Sequence, residues 1–190
     1  MFPVFFDTCV LLKPYLCDTI LTVAESRIYR PLWSVDVLAE LDRNLRKRGA
    51  SDAQISHRLE QMTRHFPDAE VKDYEQLVGS MTNDPKDRHV LAAAVRGGAE
   101  VLVTENLKDF PNSSADPYGI TILHPDEFLQ DQLDLAPEVV HDAIRRQVSR
   151  YRRAPRSVDD LLDILGNEGH GCLGFADACR GDRRFDTWRS

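Results

Sequence analysis

Apolar and polar positions alternate along the first two thirds of the chain in a pattern typical of buried strands separated by amphipathic helices. Short apolar and aromatic runs, as in strands buried on both faces of a sheet, lie at residues 3–6, 29–33, 100–104 and 119–123. Helical spacing of apolar residues predicts helices at residues 8–27, 35–47, 51–65, 87–96 and 125–133. Residues 70–78 are ambiguous and fit a short strand followed by a helical turn. This alternation predicts an α/β domain with a parallel sheet and helices on both faces.

Local signals refine these elements. Ser34 is a predicted helix cap, and Pro14 predicts an early helical turn or a kink within the first helix. Residues 83–86 form a turn by composition, and residues 106–117, rich in Asn, Asp, Ser and Pro, predict a loop.

The composition changes after residue 135. Residues 137–153 predict an amphipathic helix and residues 157–165 a second one, whereas residues 166–190 are rich in Gly and Arg and predict partial disorder. We therefore predict two parts, an α/β domain over residues 1–133 and a helical, Arg-rich extension over residues 134–190.

The overall charge argues against a protein that coats nucleic acid. The 190 residues include 31 acidic and 24 basic ones, a net charge of −7, whereas phosphate binding normally shows as a basic face. An acidic nuclease requires instead that its carboxylates surround cations and that its basic residues are concentrated in one place. No apolar run approaches the roughly 20 residues of a membrane helix, and the start of the chain lacks signal-peptide features, so we expect a cytoplasmic protein without membrane association.

The four cysteines are Cys9, Cys17, Cys172 and Cys179, and none forms a Cys-x-x-Cys pair. His170 lies close to Cys172 in sequence but lacks the companions that a zinc site needs, which favours packed or free thiols.

Acidic residues recur where predicted strands end, and ligand sites of open parallel sheets lie at the carboxyl ends of strands. Asp7 ends the first strand, Asp84 and Asp87 precede a helix, and Asp109 follows the strand at residues 100–104. Glu40 lies within a helix, beside its apolar stripe. Each has a structural explanation by itself: Asp7 as a turn residue, Asp87 as a helix cap, Glu40 as a solvated side chain and Asp109 as a loop acceptor.

Taken together, these residues predict a metal site. Carboxylates that converge on one cleft repel each other, so a fold that gathers them implies a cation. Oxygen ligands without His or Cys suit Mg²⁺ or Mn²⁺, and such a site can activate water and hold a phosphodiester for in-line attack.

Four segments occur in an order that resembles the PIN-domain nucleases, in particular the VapC-type toxins of bacterial toxin–antitoxin pairs. They are residues 4–11 (VFFDTCVL), 37–41 (VLAEL), 84–94 (DPKDRHVLAAA) and 101–111 (VLVTENLKDFP). The resemblance covers about residues 2–130. It implies a Rossmann-like five-stranded parallel sheet, a divalent-metal site, endonucleolytic RNA cleavage, a cognate antitoxin that blocks the acidic cleft, and a homodimer.

By position, Asp7, Glu40 and Asp87 match the three acidic metal-site residues of the family. The resemblance also implies that the Thr8 hydroxyl supports the first Asp and that Thr104 is the polar residue ending the fourth strand. The chain departs from the family at Asn106, because many members have Asp two residues after that Thr.

We hypothesise that Asp7 and Asp87 hold the metal directly and that Glu40 orients or deprotonates the attacking water. Asp109 or Asn106 completes the ligand set, and Asp84 contributes either an outer contact or a structural turn.

Two basic clusters are candidates for RNA contact. Arg43, Arg46, Lys47 and Arg48 follow Glu40 on its helix, with a solvated helix face as the alternative. The second cluster runs from residue 145 to 156 without an intervening acidic residue and comprises Arg145, Arg146, Arg150, Arg152, Arg153 and Arg156. RNA, an acidic antitoxin segment and the domain's own acidic surface are its alternative partners.

Other functions fit the sequence less well. A non-catalytic PIN-like module that binds RNA or protein is favoured by Asn106. An Asp-x-Asp phosphatase lacks its second Asp in Asp7-Thr8-Cys9, and no Gly-x-Gly-x-x-Gly motif follows the first strand, which argues against a dinucleotide-binding enzyme.

Overall fold

The computed structural model describes residues 1–182, and a five-stranded parallel sheet organises the first compact unit. The strands run in the order β3-β2-β1-β4-β5 and comprise β1 (Phe2–Phe6), β2 (Tyr29–Ser34), β3 (Glu70–Val71), β4 (Val101–Val103) and β5 (Thr121–Leu123). Central β1 pairs with both neighbours, with Val4 opposite Pro31 in β2 and Val101 in β4. Val4, Phe5 and Phe6 are fully buried, which confirms that β1 is a core strand.

Helices flank the sheet, as the alternating pattern predicts. In residues 1–182 the α-helices are α1 (Thr8–Leu11), α2 (Pro14–Ala24), α3 (Val35–Lys47), α4 (Asp52–His65), α5 (Glu75–Val78), α6 (Arg88–Arg96), α7 (Asn112–Ala115), α8 (Pro125–Leu135), α9 (Pro137–Arg150), α10 (Val158–Gly166) and α11 (Leu173–Gly181). Ser34 caps α3 by accepting a hydrogen bond from the Val37 amide, which confirms the predicted start of that helix.

Two local predictions need correction. The single helix predicted over residues 8–27 is two helices, because the chain breaks at Leu12 and Lys13 and restarts at Pro14, whose missing N–H costs nothing in a first turn. The loop predicted over residues 106–117 contains short helical turns, two of the 3₁₀ type (Leu107–Asp109 and Asp116–Tyr118) and the α-helical turn α7.

The chain divides into two compact units. The first consists of Met1–Leu12 and Tyr29–Leu123 and contains the sheet. The second combines Lys13–Ile28 with the described residues from His124 onward. The sequence-based domains, 1–133 and 134–190, remain a prediction, and the compact units differ from them because α2 packs with the C-terminal helices.

The second unit is an assembly of helices with its own apolar core. Helix α2 packs against α9, and α11 packs against α8 and α10. Phe175, Ala176 and Cys179 on α11 are fully buried, so Leu173–Gly181, within the segment of predicted partial disorder, form a packed helix. Residues 183–190, the rest of that predicted segment, lie outside the described residues. Helix α9 ends at Arg150, three residues before its predicted end.

No helix within residues 1–182 combines the length and the apolar character needed to cross a membrane.

Replacement of Gly97 tests how tightly α6 is packed against the sheet. A Cβ added at Gly97 would lie 2.8 Å from Val71 Cγ2 and 3.0 Å from Leu32 Cδ1, and both of these side chains are buried. Gly97→Ala should therefore lower the free energy of unfolding by about 1–3 kcal/mol in urea denaturation.

Gly79→Ala is the matched control, because Gly79 also ends a helix in right-handed helical conformation and an added Cβ there meets nothing within 4 Å. Its free energy of unfolding should change by no more than about 0.5 kcal/mol. Equal midpoints for the two variants would show that α6 is loosely packed.

Candidate active site

Asp7 lies at the centre of the candidate site, at the carboxyl end of β1. Its backbone N–H donates to the carbonyl of Val103 in the adjacent β4 over 3.1 Å, which brings the two strand ends together. Its side-chain Oδ1 accepts from the Thr8 amide at 2.6 Å, and its Oδ2 accepts from the Thr104 hydroxyl at 2.7 Å and from Cys9 Sγ at 3.2 Å. The three hydrogen bonds to its side chain fix the carboxylate in one orientation.

The environment of Asp7 is costly for a negative charge. The residue is only 4% exposed, and this burial raises the pKa of Asp7 above its usual value. Three hydrogen-bond donors and the Glu40 carboxylate act on it as well. Among those groups the donors lower the pKa and the Glu40 carboxylate raises it. A positive charge nearby would remove this cost.

Glu40 comes from α3 and is held by two residues of the site. The Thr8 hydroxyl donates to Glu40 Oε2 at 2.8 Å, and His89 Nε2 lies 3.3 Å from Glu40 Oε1. The interaction with His89 is the main reason that the pKa of Glu40 is lowered, and the same interaction raises the pKa of His89. The half-buried Glu40 therefore carries its charge at neutral pH and can accept a proton.

Asp87 precedes the first turn of α6 and has the opposite electrostatic character. Its pKa is raised to about 6, first by burial and then by repulsion from Asp7, Asp109 and Asp84. This coupling shows that four carboxylates from three separate stretches of sequence act on one another, as expected from the strand ends. The Asp84 amide donates to the Asp109 carbonyl at 3.1 Å, which joins the two loops that carry these acids.

Asn106 and Asp109 follow β4. Asn106 is exposed, and its backbone N–H donates to the Thr104 hydroxyl at 3.0 Å. Asp109 is partly exposed at the end of the 3₁₀ turn Leu107–Asp109. Of the two residues considered as a fourth ligand, only Asp109 contributes negative charge to the surroundings of Asp87.

The donor set fits a hard divalent cation. Carboxylates, an amide oxygen and hydroxyls are the ligands of Mg²⁺ and Mn²⁺, and the raised pKa values of Asp7 and Asp87 indicate unbalanced negative charge. Among residues 1–182, no group of three or more His, Cys, Asp or Glu side chains is placed so that it could hold a metal ion by itself. An open site, in which water completes the coordination shell as it usually does around Mg²⁺, is compatible with this donor set and with the lack of such a group.

Three residues beside this site were not predicted from the sequence. Cys9 donates to Asp7 and accepts from the Glu105 amide at 3.3 Å, and His89 pairs with Glu40. Asn83 is 3% exposed, and neither polar atom of its side chain has a hydrogen-bond partner among the residues the structure describes. The His89 position, two residues after Asp87 in an amphipathic helix, was a signal that sequence reasoning passed over.

The arginines predicted to contact RNA are mostly engaged within the protein. Arg46 pairs with Asp42 and Asp52, Arg145 with Asp142, and Arg150 with Glu25. Arg146 donates to Ser26 and to the Thr22 carbonyl, and Arg43 lies 3.9 Å from Glu40. Although the run at residues 145–156 contains no acidic residue, other parts of the chain supply acidic partners.

The electrostatics of Asp87 generate a stability prediction for the metal-free protein. Between about pH 4 and pH 6 the folded chain keeps a proton on Asp87 that the unfolded chain has lost, so the free energy of unfolding falls as the pH rises through this window. Asp87→Asn removes the charge and should stabilise the metal-free protein at pH 7.5 by about 1–2 kcal/mol, reduced from the full value by solvent screening.

Urea denaturation in EDTA measures this effect, with Asp131→Asn, an exposed acid on α8, as the control for loss of one charge. The increase in the free energy of unfolding caused by Asp87→Asn should vanish at pH 4. A destabilised Asp87→Asn protein at pH 7.5 would contradict the proposed repulsion.

Comparison with known proteins agrees with this geometry. The sequence profile of the PIN domain matches residues 3–108, and that of the VapC50 C-terminal domain matches residues 125–181. A Mycobacterium tuberculosis (strain ATCC 25618 / H37Rv) protein named "Putative ribonuclease VapC50" is 52% identical over 95 residues, which are 50% of this chain and 56% of that protein. The chain thus spans a little over half the length of the curated relative it matches, and no solved structure gives a significant match. With more than half of its residues matched and the expected parallel sheet in place, the chain belongs to the PIN-domain family.

Proposed function

We propose that this protein is a Mg²⁺- or Mn²⁺-dependent endoribonuclease and the toxin of a type II toxin–antitoxin system. The observation that carries the proposal is the environment of Asp87, where burial first and then the charges of Asp7, Asp109 and Asp84 raise the pKa of this carboxyl to about 6. Crowded carboxylates at the carboxyl ends of parallel strands are a costly arrangement that a divalent cation makes favourable. The related mycobacterial protein is named a ribonuclease, which supports RNA as the substrate class.

Asp7 and Asp87 would hold the cation directly. Asp109 or the side-chain carbonyl oxygen of Asn106 would complete the set of protein ligands. A bound Mg²⁺ would supply Lewis-acid stabilisation of the phosphate and of the attacking water. The hydrogen bonds from Thr104 and the Thr8 amide keep Asp7 aimed at this position. Asp84 acts further out, as one of the charges that raise the pKa of Asp87.

Glu40 would orient the attacking water or accept its proton. Its pKa is lowered mainly by His89, so the carboxylate is ionised at neutral pH, and the Thr8 hydroxyl fixes one of its oxygens. In the hydrolysis, the water oxygen bonds to phosphorus, one ester P–O bond breaks in line, and the leaving oxygen takes a proton from solvent. No side-chain nucleophile is needed.

The partners proposed for the protein are an RNA substrate, a cognate antitoxin that covers the acidic cleft, and a second copy of the chain in a homodimer. All three come from the likeness to VapC-type toxins rather than from contacts in the structure.

Asp7→Ala and Asp87→Ala test the assignment most simply. Each should lower the rate of RNA cleavage in Mg²⁺ by at least about a hundredfold, because each removes a direct ligand of the cation. Cleavage is followed on total RNA by gel electrophoresis, and circular dichroism checks that both variants fold.

Asp131→Ala is the matched control, since it removes an exposed carboxylate from α8 and should leave cleavage unchanged. EDTA should abolish wild-type cleavage and added Mg²⁺ or Mn²⁺ should restore it. Wild-type rates in both site variants would refute the assignment.

A second candidate function, a non-catalytic PIN-like module that binds RNA or protein, is favoured by one observation. Asn106 replaces a carboxylate that many family members have at this position, and its side chain is exposed rather than fixed against Asp87. Less negative charge weakens the hold on a divalent cation.

Asn106→Asp distinguishes the two candidates. If the site is catalytic, the added carboxylate should tighten Mg²⁺ binding by roughly tenfold in a calorimetric titration and lower the Mg²⁺ concentration needed for half-maximal cleavage. Asn112→Asp, which adds the same charge at an exposed position on α7, is the control. An Asn106→Asp protein that binds Mg²⁺ but still fails to cleave RNA would favour the non-catalytic module.

A further inference from the structure

A cavity of about 390 Å³ lies within the second compact unit, apart from the carboxylates in sequence and in fold. Residues from the start of α2 and from the segment that follows α9 form its walls: Pro14, Tyr15, Asp18, Tyr151, Arg152, Arg153 and Ala154. Its lining combines aromatic rings, one carboxylate and two arginines. None of these residues has a role in the proposed cleavage.

A hydrogen-bond network fixes one wall of this pocket. The Tyr151 hydroxyl donates to Asp18 Oδ2 and accepts from Gln147 Nε2 at 2.8 Å. Gln147 is fully buried, and it also donates to the Tyr15 carbonyl at 3.2 Å and accepts from Thr19 at 2.9 Å. The pocket therefore exists before any ligand arrives, which lowers the entropic cost of binding.

The Tyr15 ring is partly exposed and rigidly held. It packs edge to face against Tyr151 with ring centroids 5.9 Å apart and lies 6.0 Å from the His170 ring. An aromatic ring fixed at a pocket wall is a stacking surface for any nucleobase, since every base has a π-face.

The arginines of the pocket differ from the others of their run. Arg145, Arg146 and Arg150 are bound by other residues of the unit, whereas the exposed guanidinium groups of Arg152 and Arg153 form no hydrogen bond or ion pair within residues 1–182. In a chain with a net charge of −7, two such uncommitted cations beside a pocket favour an anionic ligand.

We propose that this pocket binds one nucleotide of single-stranded RNA, with the base against Tyr15 and the adjacent phosphates on Arg152 and Arg153. Asp18 favours this occupant over an acidic polypeptide. Its carboxylate would repel the Asp and Glu side chains of such a peptide but accepts hydrogen bonds from the amino group of a base. The inference rests on RNA as the substrate, and it adds a binding site that is separate from the cleavage chemistry.

Fluorescence anisotropy of a labelled oligoadenylate with the full chain in EDTA tests the proposal, because binding is then measured without cleavage. The double variant Arg152→Ala/Arg153→Ala should bind about tenfold more weakly, and the slope of log K against log salt should flatten by about 1.4, the value for two lost single-strand phosphate contacts. Arg64→Ala/Arg180→Ala loses the same charge from an exposed arginine on α4 and from the arginine paired with Asp163, and it should bind as the wild type does.

Substitutions of Tyr15 separate stacking from charge. Tyr15→Leu should weaken oligoadenylate binding about tenfold without changing the salt slope, whereas Tyr15→Phe, which keeps the ring, should bind normally. Thermal melting checks that each variant folds.

The outcomes separate this inference from the proposed function. Wild-type affinity in the Arg152/Arg153 variant, or an equal loss in the control pair, overturns the pocket as an RNA site even if the protein cleaves RNA. Oligoadenylate binding that depends on Tyr15 and both arginines supports it even if no cleavage is detected. Polyglutamate that binds to the pocket as tightly as oligoadenylate would assign it to an acidic polypeptide instead.

Discussion

Repulsion among carboxylates at one edge of a parallel sheet is the interaction on which the candidate site depends. Parallel pairing brings the ends of β1 and β4 together, so Asp7 is buried beside Thr104, and the loops before α6 and after β4 bring Asp84, Asp87 and Asp109 within electrostatic reach. Burial and like charge both make the ionised forms costly, which raises the pKa of Asp87 to about 6. In the proposed function, the energy stored in this crowding in the metal-free protein becomes binding energy when a divalent cation neutralises it.

Different surroundings shift the pKa values of the acidic residues in opposite directions. His89 and the Thr8 hydroxyl keep Glu40 ionised, whereas Asp87 faces mainly other acids and holds its proton to a higher pH. Pairs of acids whose environments push their pKa values apart are typical of sites with a proton acceptor and a charge-binding group. Thr8 connects two of the acids, because its amide donates to Asp7 and its hydroxyl donates to Glu40.

Local physics made much of this structure predictable from sequence, and long-range packing made the rest unpredictable. Helix α3 has its predicted bounds because Ser34 caps it and its apolar residues keep a strict helical period. The acids at strand ends could be placed together because parallel strands end at one edge. The pairing of Arg150 with Glu25, 125 residues apart, and the burial of Phe175 on α11 depend on how distant helices pack, which no local pattern encodes. The pKa of Asp87 likewise depends on distances that exist only in the folded chain.

Anomalous diffraction from crystals of the protein soaked in Mn²⁺ tests the central claim most directly, because it locates the cation without relying on activity. The account predicts an anomalous peak within roughly 2.0–2.3 Å of carboxylate oxygens of both Asp7 and Asp87, with Asp109 or Asn106 in or next to the coordination shell. A Mn²⁺ peak bound elsewhere, or no peak between Asp7 and Asp87 at saturating Mn²⁺, would contradict it.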